Sequence, residues 1–353
     1  MPPSLTARRL YAQCISTPVA ASPTDAVRHM TAMQAQDYPA ALWAVGLRTK
    51  EATLAQVEDA IVRGEIVRTW PMRGTLHLVA RDDIRWMVAL LAPRVQAANA
   101  ARLARDLGLD ASTLARGRRV VERTLASGAP VARAELYARL DAAGIASAHQ
   151  RGLHLLNWLA HESVICQGPR QGKQPTFVLM DAWVPASASL SRDEALHRLA
   201  LRYLQGHGPA TTADLAWWSG LTQKDALHAL ALAAPELEQE SHDGTTWWSR
   251  AGTPAVPTSS RAIHLLPAFD EYLIGYRERS PVLDAALMRR VFSVNGLVAP
   301  TVIVDGRVAA TWKRGSAADG DVALDPLRVL EDVERAGILR AAQRWRRFLG
   351  DAR

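Results

Sequence analysis

Cysteine is nearly absent from this chain of 353 residues, and so are long apolar runs. Only Cys14 and Cys166 occur, and neither belongs to a CxxC or Cys/His spacing, which argues against a structural zinc site or a disulfide framework. No apolar run approaches the roughly 18 residues needed to span a bilayer. Arg8, Arg9 and Gln13 interrupt the stretch that a signal peptide would need. We therefore expect a cytoplasmic protein that has no membrane partner.

Lysine is also rare, since only four of the 42 basic residues are lysines and the other 38 are arginines. The formal net charge is +7 and the pI is about 9.8. Such an excess indicates an acidic partner, nucleic acid first, and the arginine fork suits phosphates and guanine edges. A solvated basic surface and an arginine-rich genome explain the same counts, so composition alone leaves the partner open.

A set of helices followed by a β-hairpin recurs three times, which is the element order of a winged helix. The first set has helices over about 23–34 and 54–63 and strands over 66–70 and 75–79. The second has helices over 112–126, 133–141 and 148–161 and strands over 162–167 and 176–180, joined by a polar loop over 168–174. The third has helices over 193–206, 212–219 and 223–233 and a hairpin that turns at Asp243-Gly244.

The chain changes character after residue 250, where 253–257 indicates a linker. Strands are expected over 263–266, 291–294, 301–304 and 307–312, with a tight turn at Asp305-Gly306 and a last helix over about 325–349. We expect an α+β, mainly helical fold with three tandem winged helices and a small antiparallel β-barrel or sheet. The expected domains are 1–82, a linking helix 83–110, 111–184, 185–250 and 251–353.

Two glutamines flank one small apolar residue in the sequence Met33-Gln34-Ala35-Gln36-Asp37. In a continuous helix, residues i and i+2 point about 200° apart, so the two amides converge only if the helix ends between them. Pro39 disfavours helix at Tyr38, which makes such an ending plausible. The alternative is that both amides only cap a helix or bond backbone in a turn.

The stretch from Arg68 to His77 predicts a hairpin that carries Trp and Arg. Together with the Gln-Ala-Gln sequence it resembles the bacterial winged-helix DNA glycosylases (AlkZ-like), which unhook interstrand crosslinks and carry a Gln-x-Gln motif. Further segments resemble the same family in the same order: 202–204, 207–211, 214–220, 265–273, 305–306 and 311–312. The resemblance covers about residues 5–345.

The resemblance implies a monofunctional DNA glycosylase that hydrolyses the N-glycosidic bond of cationic N-alkylated purines, including crosslinks or bulky adducts. It implies Gln34 and Gln36 as catalytic residues, a duplex DNA partner and no cofactor or metal; we expect a monomer. Further candidates for the catalytic pocket are Asp37, His77, Asp270 and Tyr272. Candidates for DNA contacts are Arg68, Arg73, Arg170, Lys173, Lys313 and Arg314.

Each of these candidates also has a structural interpretation. With period-two alternation, His77 points outward or towards the glutamines, but a structural histidine is the favoured interpretation. Trp70 is expected in the core, as are the Trp217-Trp218 and Trp247-Trp248 pairs. Asp270 and its neighbour Glu271 could form a salt bridge to Arg277 or Arg279. At the level of function, the alternatives are a non-catalytic winged-helix regulator and a protein-binding scaffold, the latter disfavoured by the charge.

Overall fold

The computed structural model describes residues 4–242, 244–254, 262–315 and 322–350 and shows an α+β chain. Its helices are α1 (Leu5–Ala12), α2 (Pro23–Met30), α3 (Tyr38–Arg48), α4 (Leu54–Val62), α5 (Ile84–Leu107), α6 (Ala111–Leu125), α7 (Arg133–Ala142), α8 (Arg151–His161), α9 (Met180–Trp183), α10 (Arg192–His207), α11 (Thr212–Ser219), α12 (Gln223–Ala233), α13 (Glu271–Ile274), α14 (Met288–Val291) and α15 (Asp332–Leu349). Its strands are β1 (Ala32–Gln34), β2 (Ile66–Met72), β3 (Thr75–Ala80), β4 (Val131–Ala132), β5 (Ile165–Gln171), β6 (Gln174–Leu179), β7 (Leu237–His242), β8 (Thr245–Arg250), β9 (Ile263–Leu266), β10 (Thr301–Val304), β11 (Arg307–Arg314) and β12 (Val322–Pro326).

Two compact units divide the chain. The first unit is discontinuous and combines Met1–Glu58 with Leu196–Arg353, and the second is the continuous segment Asp59–Ala195. None of the described helices is long and apolar enough to cross a membrane.

The second unit packs helices α5 to α8 against antiparallel strands in the order β3-β2-β5-β6-β4. Trp70 is 4% exposed and stacks on Phe177 with ring centroids 6.3 Å apart, so the predicted core role of this tryptophan is confirmed. The prediction of a loop over 168–174 is wrong. Strands β5 and β6 extend into this segment and are joined by a short turn that contains Gly172 (φ +58°). Continued pairing between the strands outweighs the glycine- and proline-rich composition of this segment.

The first unit contains a four-stranded antiparallel sheet in the order β12-β11-β10-β9 and a separate hairpin of β7 and β8. The predicted turn at Asp305-Gly306 is confirmed, with positive φ at both residues. Asp243, the first residue of the other predicted turn, lies outside the described residues, as does the predicted linker from Ala255 onward. Both tryptophan pairs were predicted in the core, but only Trp218 is fully buried; Trp217 is 45% exposed, and Trp247 and Trp248 are half-buried.

Three predictions for the sheet and the last helix need correction. The strand predicted over 291–294 is wrong, because the short helix α14 ends at Val291. Strand β12 was not predicted, and α15 begins at Asp332 rather than near 325. Helix α15 packs on β9 at Gly337, where an added Cβ would come within 2.4 Å of the side chain of Ile263.

The segment around the two glutamines also differs from the prediction. Helix α2 ends at Met30 instead of continuing to Gln34, and Thr31 adopts a positive φ of 69° before the chain enters β1. Helix α3 was not predicted. Pro39 lies in its first turn, where a missing N–H costs nothing, so this proline begins a helix rather than excluding one.

Candidate active site

Gln34 is the last residue of strand β1, and Gln36 lies in the short connection from β1 to helix α3. Ala35 between them is fully buried, whereas Gln34 is half-buried and Gln36 is exposed. The prediction that a helix ends between the two amides is wrong, because α2 already ends at Met30 and Gln34 closes a strand. Gln36 lies in the bend that follows, so both glutamines reach the surface on either side of a buried alanine.

Glu271, the first residue of α13, fixes the position of this segment. Its Oε1 accepts a hydrogen bond of 2.9 Å from the backbone N–H of Gln34. Its Oε2 accepts one of 3.0 Å from Nε1 of Trp218 and lies 3.4 Å from Nε2 of His207. The carboxylate is 1% exposed, so these buried contacts hold the Gln34 backbone in one place.

A buried ion pair lies next to this anchor. Arg48 at the end of α3 forms a bidentate pair with Asp270, with N–O distances of 2.9 and 2.8 Å. Its Nη2 also donates to Oε1 of Gln13 at 2.7 Å. Burial lowers the pKa of the guanidinium, but the charge of Asp270 and its hydrogen bonds outweigh burial and raise it. The salt bridge predicted for Asp270 is therefore real, but its partner is Arg48 and not Arg277 or Arg279.

The other pocket candidates also have defined partners. Tyr272 is fully buried and its hydroxyl donates to the carbonyl of Gly306 at 2.8 Å, and burial raises the pKa of this phenol. Asp37 is the N-cap of α3, since its Oδ1 accepts from the N–H of Ala40 at 3.1 Å. Asp37 is exposed, so its carboxylate caps α3 and also remains accessible to solvent.

The hairpin of β2 and β3 carries three more of the residues predicted for the site or for DNA contacts, namely Arg68, Arg73 and His77. His77 is buried rather than outward-facing, and its Nδ1 lies 2.9 Å from the carbonyl oxygen of Thr75. Arg68 donates to Oε1 of Gln167 at 2.9 Å. Arg73 is half-buried in the turn, with φ +54°.

The other basic residues predicted to contact DNA differ in how exposed their side chains are. Arg170 bonds the carbonyl of Lys173 and is half-buried, whereas the side chain of Lys173 is exposed. Lys313 and Arg314, near the end of β11, are both exposed. Within the described ranges, no group of three or more His, Cys, Asp or Glu residues is placed to hold a metal ion.

The sequence interpretation missed most of the residues that hold the glutamine segment. Gln13 and Arg48 carry no local motif, whereas His207 and Trp218 lie in segments that resemble the family but were not predicted as site residues. All four lie far from Asp270 and Glu271 along the chain. Of this buried network, only Asp270 and Glu271 were considered from the sequence as pocket or ion-pair residues.

Comparison with known proteins identifies the family of this chain. The model of the family described as DNA glycosylase AlkZ-like matches residues 27–348. The chain belongs to the AlkZ-like DNA glycosylase family. Membership confirms the resemblance in the motifs, and it makes the protein an enzyme that acts on N-glycosyl bonds rather than a non-catalytic regulator.

One curated relative and one solved structure illustrate this membership. The interstrand DNA cross-link repair glycosylase of Streptomyces sahachiroi is 28% identical over 324 residues, which cover 86% of this chain and 85% of that protein. The structure of the Streptomyces sahachiroi DNA glycosylase AlkZ superposes with a TM-score of 0.81 at 24% identity, covering 99% of this chain and 98% of that one. The structural likeness shows a shared fold.

Proposed function

We propose that this family member is a monofunctional glycosylase that hydrolyses the N-glycosidic bond of cationic N-alkylated purines in duplex DNA. The observation that carries the proposal is the position of Gln34 and Gln36. They flank buried Ala35 and both reach the surface, in a segment whose backbone at Gln34 is bonded to buried Glu271. Asp37 follows directly but is already used as a helix cap.

Two carboxamides suffice for this substrate because the leaving group is already charged. Alkylation at N7 of guanine or N3 of adenine places a positive charge on the base, so departure needs no strong general acid. What remains is to place a water molecule behind the sugar and to stabilise the developing oxocarbenium charge. A carboxamide has two donors and an acceptor oxygen, so one glutamine holds the water while the other faces the sugar.

The anchor on Glu271 fixes the backbone from which the Gln34 amide extends, which supports the positioning that such catalysis requires. Polar groups stabilise a transition state most when they are positioned before the reaction begins. The hydrogen bond from the Gln34 backbone to a carboxylate that is itself bonded to Trp218 supplies this positioning. Removing one preorganised polar contact costs on the order of 10²–10³ in rate, by analogy with oxyanion-hole donors.

We extend the proposal to interstrand crosslinks and bulky adducts. A crosslinked base cannot swing freely into a deep pocket, as ordinary base flipping requires, and Gln36 is exposed rather than enclosed. The Streptomyces sahachiroi relative is named as a cross-link repair glycosylase. We further propose that the three helix-and-hairpin sets are winged helices that bind the duplex.

The test is release of 7-methylguanine from alkylated duplex DNA under single-turnover conditions. Gln36→Ala is expected to lower the excision rate about 10²–10³-fold and to leave DNA affinity and melting temperature nearly unchanged, because the contact is used mainly in the transition state. Gln343→Ala is the matched control, since Gln343 is an exposed glutamine on α15 of the same unit. This control should excise at the rate of the unaltered protein.

Two results would contradict the proposal. Loss of excision in Asp37→Asn, with Gln36→Ala active, would transfer the water-holding role to the carboxylate. Normal excision in both variants would make the glutamine pair structural and place the chemistry elsewhere in the molecule.

A further inference from the structure

Helix α15 presents three arginines on one face. Arg340, Arg344 and Arg347 are spaced i, i+4 and i+7, so their side chains lie above one another along the helix. Arg340 and Arg347 are exposed, and Arg344 is half-buried. Like charges at this spacing oppose helix formation, so the arrangement is unfavourable unless an anion accompanies it.

These arginines line a cavity of about 290 Å³ within the first unit. This volume far exceeds the roughly 30 Å³ that one water molecule occupies in the liquid. The described residues around the cavity include no aspartate or glutamate. Its apolar part comes from α3 and β9, with Trp43 and Leu265 buried there and bonded to each other through Nε1 of Trp43 and the Leu265 carbonyl.

The electrostatics of the cavity are those of an uncompensated cation cluster. Arg344 donates to the carbonyl of Leu47, and no described carboxylate forms an ion pair with it. Burial, followed by the neighbouring charge of Arg347, lowers the pKa of Arg344 to about 10. His264 on β9 has its pKa lowered to about 4 by burial and by Arg344, so its ring is neutral at neutral pH.

The neutral imidazole of His264 provides a further polar group at the cavity. Its Nε2 is buried and has no hydrogen-bond partner among the described residues. A buried polar atom without a partner is costly, and a ligand oxygen in the cavity would satisfy it. The guanidinium groups add planar N–H forks that match a tetrahedral oxyanion.

We propose that the cavity between α15, β9 and α3 is a phosphate-binding site, occupied by a backbone phosphate of the DNA substrate or by a free phosphate. The DNA source rests on the proposed function. It is favoured by the position of α3, which begins just after Gln36 and reaches Trp43 at the cavity seven residues later. Because Trp43 lies in the second turn of α3, the cavity is lined by the helix that directly follows the glutamine segment.

The test compares two double variants of the full-length protein. Arg340→Gln with Arg347→Gln removes the two exposed cavity arginines without touching half-buried Arg344. Arg289→Gln with Arg335→Gln removes two other exposed arginines of the same unit that do not line the cavity. Equal melting temperatures and circular dichroism spectra would establish that all proteins are folded.

Two measurements identify the source of the phosphate. The first is the affinity for undamaged duplex DNA over a series of salt concentrations. We call the Arg340→Gln, Arg347→Gln protein the cavity variant and the Arg289→Gln, Arg335→Gln protein the control. Loss of one phosphate contact should reduce the slope of log K against log salt by about 0.9 in the cavity variant and not in the control. The second is the rise in melting temperature with inorganic phosphate, compared with chloride at equal ionic strength.

A smaller slope confined to the cavity variant supports a DNA backbone phosphate. A phosphate-dependent rise in melting temperature that the cavity variant alone loses, with unchanged slopes, supports a free phosphate. If neither measurement separates the cavity variant from the control, the site does not bind phosphate and the inference is overturned. Neither measurement depends on excision, so a protein that binds in this way but releases no base would refute only the proposed function.

Discussion

The sequence around Asp37 did not reveal the structural role of this residue. The motif suggests a carboxylate that replaces an amide in catalysis, whereas the structure uses its Oδ1 to cap α3 at Ala40. The two roles call for different chemistry. Asparagine caps a helix about as well as aspartate does, but it cannot act as a base.

We therefore expect the two substitutions of Asp37 to differ in stability. Asp37→Ala should lower the free energy of unfolding by about 1 kcal/mol because the cap of α3 is lost, whereas Asp37→Asn should change it little. Urea denaturation monitored by circular dichroism measures both. Equal losses in the two variants would show that the charge, and not the cap, is what stabilises α3.

His161, the last residue of α8, should make stability depend on pH. It is 6% exposed, and burial lowers its pKa to about 4, against 6.5 for an ordinary histidine. Between these values the unfolded chain binds a proton that the folded chain does not, so stability falls as the pH is lowered. From pH 7 to pH 5 the loss is about 2 kcal/mol.

The measurement is the free energy of unfolding at both pH values for three proteins. His161→Phe should remove this part of the loss. His149→Asn, which changes an exposed histidine of the same unit at a positive φ that asparagine tolerates, should retain it. A loss of the same size in His161→Phe as in the unaltered protein would assign the pH dependence to other groups.

The pair of Arg48 and Asp270 connects two elements, α3 and the N-terminus of α13. Both side chains are fully buried. Removing one partner leaves a buried charge without compensation, which costs about 3–5 kcal/mol. Asp270→Asn should therefore lower the free energy of unfolding by this amount, measured by urea denaturation.

The control for this substitution is Asp325→Asn. Asp325 pairs with Arg290 at the surface, with side chains 66% and 44% exposed. A surface pair of this kind contributes about 0–1 kcal/mol. If both variants lose the same small amount, the buried pair does not hold α3 in place.

The elements that could be predicted from sequence are those whose signals are local. The bounds of α11 and α12 match the prediction because Thr211 and Thr222 cap them and the apolar spacing continues between caps. Helix α3 escaped prediction because its start depends on Pro39, which is compatible with a first helical turn and with a break. Strand β1 is too short for a periodic pattern to identify.

The sequence provides the two proposed catalytic glutamines of the candidate site but not the residues that support them. The Gln-x-Gln sequence is continuous, so the family motif alone reveals Gln34 and Gln36. The carboxylate that holds Gln34 lies 237 residues away, and such a contact leaves no local trace. Sequence therefore identified the amides, while only the tertiary structure identified Glu271 as their anchor.

The molecule as a whole carries a net charge of +7, from which we expect electrostatic DNA binding that is nearly independent of sequence. The logarithm of the association constant should fall with the logarithm of salt by about 0.9 per phosphate contacted. Arg73→Ala should weaken binding to undamaged and lesion-containing duplex alike, because phosphate contacts position a protein without reading bases. Fluorescence anisotropy over a salt series measures both effects. A loss confined to lesion DNA would instead assign Arg73 to the catalytic pocket.

The hydrogen bond from Gln34 to Glu271 also sets an order of events during biosynthesis. The ribosome makes the glutamine segment early and its acceptor 237 residues later, a delay of roughly 10–50 s at about 5–20 residues per second. Throughout that interval the nascent chain holds both amides without the carboxylate that fixes them. A chain terminated between Gln36 and Glu271 would carry the complete motif and still lack its anchor, so we expect such truncation to yield inactive fragments rather than weakened enzymes.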